Sequence, residues 1–180
     1  SVVQLTEPVG PSSGRAVYKQ HFKLVEGNGN TSRANSASFS SYVAFSKGAG
    51  LALFVGPSEL KLNVFGDGPF GFLEKAKSRI VAVSFDAIVG GVLVGVDAGR
   101  FASVRSRNVS FGNGRSNGVK KLHSWIDYEA GSKRLEIRLS ESGDMKPVDP
   151  LISYPIDLQK MWDNDTVMIG LSSSNGNFSR

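Results

Sequence analysis

The amino-acid sequence predicts an all-β fold, arranged as an antiparallel sandwich or barrel. Residues 135–140 alternate apolar and polar side chains with a period of two, which is typical of a strand with one solvated face. Residues 125–128 and 166–171 are further short runs rich in β-branched and aromatic residues. Many short strands with turn signals between them favour this architecture. The turn signals are clusters of Gly, Asn and Asp at residues 26–30, 66–69, 90–91, 112–114, 129–131 and 174–176.

One helical turn is predicted, at residues 157–162. Asp157 stands at its start, where a carboxylate can accept hydrogen bonds from the first backbone N–H groups of a helix. The chain of 180 residues is long enough to build a two-layer core without a cofactor. We therefore expect residues 1–180 to form a single domain.

Composition excludes several function classes. The chain has no cysteine, which excludes disulfides and thiolate metal sites. It has no run of about eighteen apolar residues, so no segment predicts a membrane-spanning helix. The net charge of +5 is mild. Arg100, Arg105 and Arg107 cluster without the interleaved aromatic residues of a nucleic-acid motif, so we interpret them as a solvated strand edge and expect no nucleic-acid partner.

The chain carries four Asn-x-Ser/Thr sequons, which favour passage through the secretory pathway. The absence of cysteine is compatible with secretion for a domain that is large enough to fold without disulfides. We therefore predict N-glycosylation at Asn30, Asn108, Asn164 and Asn177.

Several segments, in chain order, resemble the legume (L-type) lectin domain. The strand pair at residues 80–86 and 94–97 reads Ile-Val-Ala-Val-Ser-Phe-Asp and Val-Gly-Val-Asp, and it is similar to two strands of that family. The resemblance covers nearly the whole chain. Its other segments are residues 12–18, 37–45, 50–58, 67–73, 124–129, 155–158 and 168–176.

The resemblance implies a concanavalin A-like jelly-roll sandwich of two antiparallel sheets. In the sequence of these segments, the chain most resembles plant lectin-like proteins and the ectodomains of lectin receptor kinases. This similarity implies an extracellular location, in the apoplast or at the cell surface. The family's first and last strands are expected to be missing from residues 1–180, which leaves a sheet edge to be covered by something else.

The metal site that the family implies is degenerate in this sequence. In the family, a strand reading Val-Glu-Phe-Asp supplies two carboxylates, whereas this strand carries Ser84 and Asp86. The family's histidine ligand falls on Leu93, and the loop at residues 87–92 has neither the Asn nor the Asp that the family provides. Calcium requires six to eight oxygen ligands. We therefore expect no calcium, manganese or other cofactor.

The sugar contacts that the family implies are only partly present. The family's sugar-binding Asp falls on Ala49, which has no acceptor for sugar hydroxyls. The positions that the resemblance leaves as carbohydrate contacts are Ala49, Gly50, Gly68, Asp86, Ser174, Asn175 and Gly176. For Gly68, Ser174, Asn175 and Gly176, the alternative interpretation is that they only form turns. For Asp86, the alternative is a residual acid at the end of a strand.

No catalytic residues are predicted. Retaining glycoside hydrolases need two carboxylates about 5–5.5 Å apart on one strand face, and no strand shows a Glu-x-Asp-x-x-Glu arrangement. His21 and His123 have no nucleophile signature around them and are interpreted as surface residues. Trp125 and Trp162 are interpreted as core or rim residues, although an indole ring can also stack on a sugar.

Two hypotheses for function remain open. The first is a carbohydrate-recognition domain whose glycan binding is weak, metal-independent or lost. The second is a structural or protein-interaction module that forms homo-oligomers or binds a protein partner through its sheet edges. A hydrophobic ligand between sheets has precedent in the family, but no residue of this sequence supports it.

Overall fold

The computed structural model describes residues 2–7, 10, 12–26, 35–46, 50–59, 79–99, 101–110, 121–162 and 166–174. The described chain is mainly β, as predicted. It divides into two compact units: unit 1 (Ser1–Phe22, Gly48–Asn113, Val167–Arg180) and unit 2 (Lys23–Lys47, Gly114–Thr166). The strands are β1 Ser13–Val17, β2 Phe22–Lys23, β3 Val25–Glu26, β4 Asn35–Ser36, β5 Phe39–Ser46, β6 Gly50–Pro57, β7 Val81–Ile88, β8 Gly91–Ala98, β9 Phe101–Ser110, β10 Lys121–Glu129, β11 Arg134–Ser140, β12 Ile152–Pro155 and β13 Thr166–Ser174, and the helix is α1 Leu158–Trp162.

Unit 1 is built on an antiparallel sheet with the strand order β1-β13-β6-β7-β8-β9, and the short strand β2 also pairs with β13. Strands β6 and β7 lie in the middle, and both of their faces are buried. Phe54 and Ala52 are buried on one face, and Leu53 and Val83 are buried on the other. This explains why the two strands read as nearly continuous apolar runs.

Strands β7 and β8 form a tight hairpin. Their register runs without interruption to the pair Ile88 and Gly91, which leaves Val89 and Gly90 as a two-residue turn. Gly90 has a φ of 75°, a left-handed conformation that favours glycine. A Cβ on Gly91 would collide with the carbonyl oxygen of Val109 on β9, so this position also requires glycine. The predicted strand pair is therefore confirmed.

Strand β9 is the last strand of the described sheet of unit 1. Arg105 and Arg107 are exposed on it, next to the exposed Ser106 and Asn108. The interpretation as a solvated strand edge is confirmed for Arg105 and Arg107, whereas Arg100 lies outside the described residues. Charged residues on an edge strand also oppose unwanted pairing with another chain.

Unit 2 contains a four-stranded antiparallel sheet with the order β12-β11-β10-β5. Its strands alternate as the sequence predicts: Leu122, Ile126 and Leu135 are buried on one face, and the other face is polar or aromatic apart from Ala44. Strand β5 begins at Phe39, two residues later than the similarity to the family suggests. Before it, the backbone N–H of Ala37 donates to the carbonyl oxygen of Leu24 at 2.8 Å, which continues the pairing of β3 with β4.

The predicted helical turn is confirmed as α1, and Asp157 caps it. The backbone N–H of Lys160 donates to Oδ1 of Asp157 at 3.3 Å, and Lys133 Nζ forms an ion pair with Oδ2 at 2.7 Å. The backbone N–H of Leu158 donates to the hydroxyl of Tyr128 at 3.3 Å. No helix of the described residues is long and apolar enough to cross a membrane.

Candidate functional site

Three of the predicted contact residues lie together at one edge of the unit 1 sheet. Strand β6 begins at Gly50, and this residue pairs in register with Ser174, where β13 ends. On the other side of β6, Leu51 pairs with Phe85, so Asp86 lies beside Gly50. We refer to Gly50, Asp86 and Ser174 as the edge cluster.

The carboxylate of Asp86 lies close to the backbone of Gly50. A Cβ placed on Gly50 would be 3.1 Å from Oδ1 of Asp86 and 3.7 Å from the carbonyl oxygen of Ser174. The lack of a side chain at Gly50 therefore leaves room for this carboxylate. All three residues are half-buried, so a ligand can reach the cluster while bulk water is partly excluded.

Ser173 connects the two strands beneath the edge cluster. Its hydroxyl donates a hydrogen bond of 2.8 Å to the carbonyl oxygen of Gly50, and its side chain is buried. This bond adds to the backbone pairing between β6 and β13 and holds the start of β6 in a defined position. Pre-positioning of this kind reduces the entropy that a ligand must remove on binding.

The described residues at this edge offer too few ligands for a calcium or manganese centre. Ser84 is buried two residues before Asp86, and its hydroxyl replaces the second carboxylate that the resemblance implies. Leu93 pairs in register with Asp86 and contributes an aliphatic side chain. Within the described part of the chain, no group of three or more His, Asp or Glu residues is placed to hold a metal ion. One carboxylate cannot provide the six to eight oxygen ligands of calcium.

Several predicted site residues lie outside the described residues. They are the contact positions Ala49, Gly68, Asn175 and Gly176 and the glycosylation positions Asn30, Asn164 and Asn177. Asn108 is described: it is exposed on β9, and Ser110, the last residue of its sequon, is exposed as well.

Unit 2 contains an aromatic group that the sequence did not predict. The ring of Tyr42 lies 5.3 Å from that of Trp125 and 6.0 Å from that of His123, measured between centroids. The hydroxyl of Tyr42 shares a hydrogen bond of 2.6 Å with Nδ1 of His123. The period-two alternation of β5 and β10 places these side chains on one face, but the register that joins them is not visible in the sequence.

A charged network lies on the same face of the unit 2 sheet. Asp127 accepts hydrogen bonds from Ser40 at 2.5 Å and from Lys146 at 2.7 Å, and it forms an ion pair with Arg138 at 3.2 Å. Arg138 also forms an ion pair with Glu136 at 2.8 Å. Burial raises the pKa of Asp127, but the hydrogen bonds from Lys146 and Ser40, with the charges of Lys146 and Arg138, bring it below its ordinary value.

The two antiparallel sheets define an all-β protein with the architecture of the plant lectins. The fold is similar to lectin II from Ulex europaeus, with a TM-score of 0.66 at 23% identity, covering 97% of this chain and 79% of that chain. It is also similar to peanut lectin, with a TM-score of 0.71 at 20% identity, covering 98% of this chain and 79% of that chain. The predicted concanavalin A-like fold class is confirmed.

The chain belongs to the legume lectin domain family, whose model matches residues 1–180. It is 28% identical to L-type lectin-domain containing receptor kinase VIII.2 of Arabidopsis thaliana, over 91% of this chain and 24% of the relative. It is 23% identical to receptor kinase IV.3 of the same plant, over 97% of this chain and 29% of the relative. The chain thus spans about a quarter of the length of these relatives.

Proposed function

We propose that this chain is a carbohydrate-recognition domain that binds a glycan at the edge cluster without a metal ion. The observation that supports the proposal is the placement of Asp86 beside Gly50 and Ser174 within a legume lectin domain. A carboxylate is a strong acceptor for hydroxyl groups, and hydrogen bonds to charged acceptors are about twice as strong as neutral ones. Neighbouring hydroxyls of a sugar ring can donate hydrogen bonds to this carboxylate.

The contribution of each residue follows from its chemistry. Asp86 accepts hydrogen bonds from sugar hydroxyls, Gly50 leaves the space that this carboxylate occupies, and Ser174 offers a hydroxyl that both donates and accepts. In this proposal, Ala49, Gly68, Asn175 and Gly176 complete the site, as the family resemblance implies.

Metal independence follows from the ligand set. Ser84 and Leu93 replace two ligands of the family pattern, and the two-residue turn at Val89 and Gly90 leaves no loop between β7 and β8. Without an ion to preorganise the edge, we expect weak binding. Dissociation constants in the millimolar range correspond to about −4 kcal/mol.

A glycan array probed with the purified chain and with two variants tests this proposal. Asp86→Asn removes the charge of the acceptor with little change in volume, and we expect it to reduce glycan binding about tenfold, since hydrogen bonds to charged groups contribute about 1.5–3 kcal/mol. Asp144→Asn is the matched control, because Asp144 is an exposed carboxylate of unit 2. Equal glycan binding by the wild type and Asp86→Asn would contradict the assignment of this site.

A second candidate function is an interaction module that assembles through its sheet edges. The supporting observation is β5, an eight-residue strand that ends the described four-stranded sheet. Exposed edge strands pair readily with another chain. Light scattering over a concentration series tests this function: a dimer that Tyr42→Pro dissociates favours it, and a monomer at all concentrations contradicts it.

We further propose that the chain works outside the cell as part of a plant cell-surface or secreted protein, and that it has a binding role and no enzymatic one. The similarity to receptor kinases over a quarter of their length supports this location. The exposed sequon at Asn108 is in a position that glycosylation of a secreted protein requires.

A further inference from the structure

The polar face of the unit 2 sheet carries an aromatic group that the proposed glycan site does not use. Tyr42 on β5 pairs in register with Trp125 on β10, and their rings are 5.3 Å apart at an angle of 46°. The ring of His123, which is also on β10, is stacked with that of Tyr42 at an angle of 24°. We refer to Tyr42, Trp125 and His123 as the aromatic strip.

Within the aromatic strip, Tyr42 is held in place and remains accessible. The hydrogen bond between the Tyr42 hydroxyl and Nδ1 of His123 fixes the tyrosine ring. Tyr42 nevertheless keeps 52% of its surface exposed, although a large aromatic side chain favours burial. A rigid, exposed aromatic surface loses little conformational entropy when it binds a ligand.

The surroundings of the aromatic strip are polar. On β5, β10 and β11, the residues that share its face carry hydroxyl, charged or aromatic side chains, with Ala44 as the single aliphatic member. The core of a protein–protein interface is depleted in charged residues, whereas this face carries several of them. The residues are Ser40, Tyr42, Ala44, Ser46, Lys121, His123, Trp125, Asp127, Glu129, Arg134, Glu136, Arg138 and Ser140.

A segment at residues 141–150, which we call the strap, occupies the β10–β11 side of this face. A Cβ on Gly143 would be 2.5 Å from Cε1 of His123, Lys146 contacts Asp127, and Nε of Arg138 donates to the carbonyl oxygen of Val148 at 3.3 Å. The open part is the ring of Tyr42 with Ser40 and Ala44, its neighbours on the same face of β5.

We propose that the aromatic strip is a second carbohydrate site, which stacks neutral oligosaccharides of equatorially substituted, glucose-type pyranoses. Such rings present a flat face of C–H groups that packs on an aromatic ring, while their hydroxyls point outward at the rim. The rim of the strip supplies matching groups: the hydroxyls of Ser40 and Ser46 and the ammonium group of Lys121. The proposal is independent of glycan binding at the edge cluster, because the residues of the two sites belong to different units.

Tryptophan fluorescence during a titration with cellohexaose tests this proposal directly. The chain has two tryptophans, and Trp162 is 1% exposed, so a change in emission on binding reports on Trp125. We expect saturable quenching by cellohexaose. We expect Tyr42→Ala to weaken binding about tenfold and Tyr42→Phe to keep most of it, because stacking needs the ring and not the hydroxyl.

Two control variants show whether the quenching arises at the aromatic strip. Tyr18→Ala removes an exposed tyrosine of unit 1, and we expect it to leave the titration unchanged. We expect Asp86→Asn to lower glycan binding on the array and to leave the quenching by cellohexaose unchanged. Each of the two proposed sites can therefore be contradicted without the other. The proposal is overturned if emission does not respond to cellohexaose, if Tyr42→Phe loses as much as Tyr42→Ala, or if Tyr42→Ala changes only the oligomeric state.

Discussion

Oδ1 of Asp86 lies 3.1 Å from the point that a Cβ on Gly50 would occupy, so the carboxylate fills the space that this glycine leaves open. The contact joins strands β6 and β7 at the edge where β13 also ends. It places an acidic acceptor over an accessible stretch of backbone. The proposed glycan binding depends on this relationship.

Replacement of Gly50 by alanine tests that relationship. We expect Gly50→Ala to displace the Asp86 carboxylate and to reduce glycan binding about tenfold, while it changes the free energy of unfolding by no more than about 1 kcal/mol. The stability change is small because the crowded atom belongs to the end of a side chain. The measurements are array binding and urea denaturation. Unchanged binding would show that the position of Asp86 is not important for the ligand.

Glycine at position 91 is required by packing against β9. A Cβ there would collide with the carbonyl oxygen of Val109, which belongs to the backbone and cannot move easily. We expect Gly91→Ala to lower the free energy of unfolding by about 3 kcal/mol. Gly131→Ala is the matched control: its Cβ would lie 3.4 Å from Oε1 of Glu129, so we expect a change of about 1 kcal/mol at most. Equal stabilities of the two variants in urea would contradict the predicted clash between β8 and β9.

The charged network around Asp127 predicts a defined dependence of stability on pH. The pKa of Asp127 is lower in the folded chain than the ordinary value of 3.8, which represents the unfolded chain. The network therefore stabilises the fold fully above that value, and the stabilisation is lost as the pH falls through the lower, folded pKa.

Asp127→Asn measures this contribution. We expect the variant to be less stable than the wild type at pH 7, by up to about 1 kcal/mol, because the ion pairs are partly solvated. The difference should shrink below about pH 4. Urea denaturation at pH 7, 5 and 3 is the measurement. A difference that stays constant down to pH 3 would show that the charge of Asp127 does not contribute.

The exposed sequon on β9 predicts glycosylation in a plant host. We expect mass spectrometry of the secreted chain to find an N-glycan on Asn108, because both Asn108 and Ser110 are exposed. Asn108→Gln should remove the mass of one glycan and leave the fold intact. An unmodified Asn108 in a chain that carries glycans on other sequons would contradict this prediction.

The strands and the capped helix could be predicted from the sequence because their signals are local. The alternation at residues 135–140, the apolar runs at residues 50–57 and 81–85 and the cap at Asp157 each depend on neighbours in the chain. The edge cluster could be anticipated only through the family resemblance. The aromatic strip depends on the register between β5 and β10, which are about eighty residues apart in the chain, and no local signal encodes that register.

The measurement that tests the central claim most directly is the metal content of the purified chain after dialysis against calcium and manganese, paired with glycan binding in the presence and absence of a chelator. The proposed metal-free site predicts no stoichiometric calcium or manganese and glycan binding that the chelator does not change. Stoichiometric metal, together with binding that the chelator abolishes, would contradict it.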